Sequence, residues 1–145
     1  MEWEGLDELV ANLEMTERKL PKVIEKLEED VAGVILEDVI ENTPVDTGDL
    51  QKAWKLRQAD GIEIYNDAKN KEEYYAWDVE YGHRTRAGMN LKQSTRRKKK
   101  AYSKGGKITF VPGVFMLKGA FKIGQTELEE KGKKAVEEIL GDLNA

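Results

Sequence analysis

Thr43-Pro44-Val45-Asp46-Thr47-Gly48-Asp49-Leu50 divides the chain into two kinds of sequence. A residue before proline is pushed out of the helical region, so a helix arriving from the N-terminal side stops at Asn42-Thr43. Asp46 and Thr47 can bond nearby backbone amides, and Gly48 can take a positive φ. The stretch therefore reads as a stiff turn built on Pro44, Asp46, Thr47 and Gly48.

Before the turn, residues 6 to 41 carry a helical period. Leu6, Leu9, Val10 and Leu13 share one face, and Leu20, Ile24, Leu27, Val31, Val34 and Ile35 continue it at three- and four-residue steps. Pro21 falls inside this pattern, which predicts a kink or a restart at Leu20-Pro21. Asp30, Glu37, Asp38 and Glu41 fall on the wet side, and Gly33 marks a place for close packing.

After the turn the period changes. Residues 50 to 58 and 62 to 66 read as the strands of a hairpin, joined by Ala59-Asp60-Gly61, with Ile62, Ile64 and Asn66 alternating with Glu63 and Tyr65. Residues 74 to 82 are dense in aromatics and read as a short helix stopped by Gly82. Its spacing places Tyr74, Trp77 and Tyr81 on one side. A strand is predicted at 108 to 111, broken by Pro112-Gly113. A closing helix follows from about Val114 to Leu140, with Phe115, Leu117, Phe121, Leu128, Ala135, Ile139 and Leu140 as core candidates. Gly119, Gly124 and Gly132 weaken that helix and predict an irregular first part. Helix, small antiparallel sheet, helix is an α+β pattern. With 145 residues and no internal repeat, one domain over 1–145 is the expectation.

Charge is strongly polarised along the chain. The net charge is −4. Yet Glu2 to Asp49 holds 15 acidic residues against 4 basic ones, and Arg84 to Lys107 holds 10 basic residues and no acidic one. Residues 83 to 107 therefore read as a basic arm, in which Arg84, Arg86, Arg96, Arg97, Lys98, Lys99 and Lys100 are the candidate contact residues. Three occupations are open to it: solvent, an acidic protein surface such as a neighbouring subunit's helix, or DNA. Tyr102 is the only aromatic inside the arm, which argues against stacking on single-stranded bases. The aromatic group Tyr74, Tyr75, Trp77 and Tyr81 reads as core or as subunit contact and not as a ligand cage.

Several chemistries are excluded or disfavoured. The chain has no cysteine, so it has neither disulfides nor thiolate sites. His83 is the only histidine, which rules out a His-dependent triad or a multi-histidine metal site. Glu80 lies near Asp78 but has no nucleophile, metal cluster or phosphate loop beside it. A structural bond fixing the 74–83 segment is the favoured role, and no enzyme activity and no cofactor is expected. The first residues, Met1-Glu2-Trp3-Glu4, are acidic where a secretion signal would be basic. No apolar run reaches the roughly 20 residues needed to cross a bilayer. The chain reads as soluble and untargeted, folding in a reducing cytosol.

Four landmarks in order resemble the tail-completion, gpZ-like head–tail joining family of long-tailed bacteriophages. They are Met1-Glu2-Trp3-Glu4-Gly5-Leu6-Asp7-Glu8-Leu9, the Thr43–Leu50 turn, Tyr75-Ala76-Trp77-Asp78-Val79-Glu80-Tyr81-Gly82-His83, and Val111-Pro112-Gly113-Val114-Phe115-Met116-Leu117-Lys118-Gly119-Ala120. Two features depart from the family's pattern. Gly113-Val114 separate Pro112 from Phe115, and the basic arm is longer and more charged. The resemblance implies a structural virion protein of the neck, made in the host cytoplasm. It also implies a ring of identical subunits, hexameric in that family, set between neighbouring neck and tail proteins, with DNA contact in the channel left open and no membrane partner. A tail-terminator or tube-type subunit and a nucleic-acid-binding module are the alternatives.

Overall fold

The computed structural model describes residues 5–84 and 110–144. It is α+β. Helix α1 (Leu6–Glu41) leads through a four-residue helix α2 (Asp49–Lys52) into the hairpin β1 (Trp54–Gln58) and β2 (Ile62–Asn66). A small hairpin follows, β3 (Lys69–Asn70) and β4 (Glu73–Tyr74), then helix α3 (Ala76–Tyr81). Strands β5 (Gly82–Arg84) and β6 (Phe110–Pro112) pair antiparallel, and helix α4 (Met116–Asn144) closes the described chain.

Helix α1 runs 36 residues with Pro21 inside it, so of the two expectations at Leu20-Pro21 the restart does not occur. Proline removes one backbone donor, leaving the Glu17 carbonyl without its usual partner. Pro21 sits on the exposed face, where water can serve that carbonyl, and the turns on either side keep their bonds. The strand expected from residue 50 begins only at Trp54, because Gly48 at φ 83 starts the turn of helix that forms α2. β1 and β2 pair in full register, Trp54 opposite Asn66 and Gln58 opposite Ile62, around the predicted three-residue loop. Arg57 bridges to Glu63 across the hairpin, and Lys55 bridges to Asp67.

Helices α1 and α4 pack antiparallel. Val39, Met116 and Ala120 are sealed from water, and with Ile35, Leu50, Ala53, Trp54 and Ala68 they form the core. The face of α4 differs in part from the expected one, although Leu117 packs against the core as expected. Phe115, Phe121, Leu128 and Leu140 are about half exposed, whereas Met116, Ala120 and Gly124 face α1. The reason is close approach: a Cβ on Gly124 would lie 2.3 Å from Cγ1 of Ile35. A face of small residues lets the helices come this near, and the larger residues are turned outward. The glycines thus do not make α4 irregular, since the helix is continuous from Met116 to Asn144.

Two glycines of α4 should answer substitution with opposite signs. Gly124→Val overpacks the Ile35 contact and is expected to cost about 2 kcal/mol. Gly119→Ala meets nothing within 4 Å. It should stabilise by up to about 1 kcal/mol through helix propensity. Urea midpoints of the two variants against the parent measure both; equal shifts would contradict the packing described.

Candidate assembly surface

The Thr43–Leu50 turn is fixed from inside and open outside. Thr43 is buried at the end of α1. Its hydroxyl donates to the Val39 carbonyl and accepts the indole N–H of Trp54 at 2.8 Å. Gln51 donates to the Ile40 carbonyl at 3.0 Å and Asn66 donates to the Leu50 carbonyl at 2.8 Å, so helix end, turn and hairpin are sewn together. Thr47 donates to the Asp49 carboxylate at 2.6 Å and accepts the Asp49 amide at 3.3 Å. Asp46 makes no corresponding bond among the described residues, against expectation; it lies on the rim of a cleft.

That cleft, of about 460 Å³, is lined by the turn itself together with Lys69, Tyr75 and Val79. Burial raises the Tyr75 hydroxyl above its ordinary pKa and the Asp49 carboxylate adds to this, so it remains a proton donor at neutral pH. Replacing Thr43 by valine would bury the indole N–H without an acceptor. The expected cost is roughly 2 kcal/mol, measured by thermal melting. Trp54→Phe in the same background should then cost little more for the lost bond, since its acceptor is already gone.

A second constellation joins segments far apart in sequence. Glu80 is only 4% exposed. Its carboxylate accepts the backbone N–H groups of Leu117 and Lys118, each at 2.9 Å, at the N-terminus of α4. The free amides and the dipole of a helix start favour an anion there. The main chains touch as well: Val114 N–H donates to the Val79 carbonyl at 2.9 Å, and Phe115 N–H to the Glu80 carbonyl at 3.1 Å. A Cβ on Gly113 would sit 2.2 Å from the Glu80 carbonyl oxygen, and one on Gly82 would sit 2.3 Å from that of Val111. Gly113, which separates Pro112 from Phe115, is thus required by this crossing. Phe115 takes φ 56, an unfavourable value for a bulky residue, held by the bond to Glu80.

The model of one protein family, described as "Bacteriophage HK97-gp10, putative tail-component", matches residues 7–82, more than half of the chain. The chain belongs to this HK97 gp10-like family. No curated protein and no solved structure matches it significantly. The family match runs from α1 through the Thr43–Leu50 turn to Glu80 and Gly82, and so includes one side of the crossing but not its α4 partner. An HK97 gp10-like chain is accordingly a structural component of a phage tail, and its place is the virion.

Within this HK97 gp10-like framework the expected contact residues separate. Trp77 and Tyr81 share a face of α3, their ring centroids 4.3 Å apart, and Tyr81 meets Phe115 edge-on at 6.2 Å. Tyr74 is not with them: it belongs to β4, and Lys69 lies over its ring at 4.4 Å. Trp77 is 70% exposed, so the pair is surface and not core. Pro44, Asp46, Thr47 and Gly48 are together on the cleft. Arg84 lies in β5 beside His83, so the arm's first two residues are strand, both exposed. Arg86 and Arg96 to Lys100 lie outside the described residues. Among the described residues no group of three or more His, Asp or Glu side chains could hold a metal ion. Also among them, no helix is long and apolar enough to cross a membrane.

Proposed function

We propose that this phage tail component completes the tail and joins it to the head, as one subunit of a ring at the neck. The observation that carries the reading is the family match together with the crossing at Glu80. The match supports a tail component. The crossing ties the family segment to the Val111–Ala120 stretch whose motif is similar to gpZ-like tail-completion proteins. The ring closes by lateral contact between the acidic face of α1 and a neighbour's basic segment. Glu25, Glu28, Glu29, Asp30, Glu37 and Glu41 are exposed along that helix. Opposite charges on different edges favour heterologous contacts, which form rings when the rotation closes, and they speed docking more than they tighten it.

Imaging of the assembled particle with a label on this subunit tests the assignment. Density at the join between capsid and tail is expected. Density at the tail tip, or along the tube, would sink the neck reading, the tube location favouring a terminator or tube-type subunit. Nucleic-acid binding is kept as a second reading because ten cations stand without an acidic residue from Arg84 to Lys107. It predicts duplex binding with a steep salt slope that is lost when Arg96, Arg97, Lys98, Lys99 and Lys100 become alanine. Binding indifferent to those five changes would dispose of it.

A further inference from the structure

The α1–α4 pair is covered unevenly along its length. Where the last turns of α1 meet the first turns of α4, Ile35, Val39, Met116 and Ala120 exclude water, and far along the pair Lys19 meets Asp142 at 2.9 Å. The first turns of α1 run past that ion pair. There Leu6, Leu9, Val10 and Leu13 are 51%, 48%, 47% and 50% exposed. Their spacing gives one apolar stripe at i, i+3, i+4 and i+7, flanked by Asp7, Glu8 and Glu14 with no basic residue before Arg18.

At the opposite end of the pair lies a groove of about 410 Å³, between the last turn of α1 and the first turns of α4. Gly119 is its floor: a Cβ there would meet nothing within 4 Å. Phe115 and Ile123, one turn on either side of Gly119, form apolar walls and are each nearly half exposed. Lys118 and Lys122 stand next to them on the same helix, with Lys118 over the Phe115 ring at 5.5 Å. Asp38 and Asn42 complete the far rim.

We infer that this groove receives the first turns of α1 from a second copy of the chain. The stripe fits the way an amphipathic helix enters a groove, with anchors at i, i+3, i+4 and i+7. Three acidic residues beside the stripe face two lysines beside the groove, and the missing side chain at Gly119 admits a helix closely. A chain cannot fill its own groove. Some thirty residues of straight helix, about 45 Å, separate Val10 from the groove end of α1. The contact therefore runs head to tail between copies, and repeating it gives a ring or an open filament. Two helical turns cover well under the roughly 800 Å² per partner of a standard interface, so one contact is weak until each copy makes two in a closed assembly. The inference rests on the ring reading above and adds the surfaces that meet.

The absence of native cysteine makes a trapping experiment clean. Full-length Leu13→Cys and Ile123→Cys chains of different tag length are mixed and oxidised with oxidised glutathione. Mixed disulfide is expected to exceed either homodimer by about tenfold, the factor matching roughly 1.4 kcal/mol of preference. Adding Gly119→Trp to the Ile123→Cys chain should abolish that excess while leaving the melting temperature unchanged or raised, since position 119 faces open space. Pairing Leu13→Cys with the exposed control Glu137→Cys sets the collision background. Mixed disulfide at that background, homodimers in equal amount, or an excess that survives Gly119→Trp would each overturn the contact. Such a failure alongside density at the neck would leave the location standing and remove only this contact.

Discussion

Gly82→Ala is expected to leave little folded protein at physiological temperature. Gly82 holds φ 85 and ψ 167, a region open essentially to glycine alone. The new methyl would also meet main chain on two sides, 2.3 Å from the Val111 carbonyl oxygen and 2.8 Å from the Gly113 nitrogen. Main-chain atoms cannot turn aside as a flexible side chain can, so β5 and β6 must separate. The combined cost is at least about 3 kcal/mol, a large part of the 5–15 kcal/mol that holds a typical domain together. Thermal melting followed by circular dichroism reads it. A midpoint within a degree or two of the parent would refute the close crossing.

Glu80→Gln should be nearly as damaging despite its similar shape. The carboxylate accepts two backbone N–H groups, and charge-assisted bonds of this kind contribute more than neutral ones. An amide keeps one oxygen but turns its NH₂ group toward a donor, leaving a buried mismatch. The expected loss is about 2–3 kcal/mol, and somewhat more for Glu80→Ala, which frees both amides. Hydrogen exchange at Leu117 and Lys118 should accelerate in step with the loss. Unchanged stability in the glutamine variant would mean that the contact at the start of α4 contributes nothing to the fold.

The residues of this crossing show what was legible in advance. The 3.6-residue period of α1, the β1–β2 hairpin and the Gly82 stop are local patterns, and all three stand in the structure. The sequence around Glu80 points to a structural bond, but its partners lie 37 and 38 residues away, and no local pattern names them. The β3–β4 hairpin escaped notice because it turns at Lys71, which takes φ 63 where glycine or asparagine would have signalled a turn. Tyr74 therefore stands in β4 and not in the helix that its spacing suggests. On α4 the sequence pattern points to large apolar side chains, of which Leu117 packs against the core, whereas the close approach of α1 and α4 selects Ala120 and Gly124. Within the candidate site Pro44, Asp46, Thr47 and Gly48 line one cleft. The aromatic trio was reduced to a pair, with Phe115 as its unforeseen third ring.

The distance in sequence between α1 and α4 sets an order of events during synthesis. The face of α1 that carries Ile35 and Val39 is complete when residue 41 is made, but its cover begins at Met116. At ordinary translation speeds of about 5–20 residues per second, the ribosome needs roughly 4–15 s to supply that cover. Throughout this interval the apolar stripe of α1 has only α2, the β1–β2 hairpin and the segment through α3 to shield it. Many such nascent chains side by side on one messenger are an aggregation hazard that the finished subunit no longer presents.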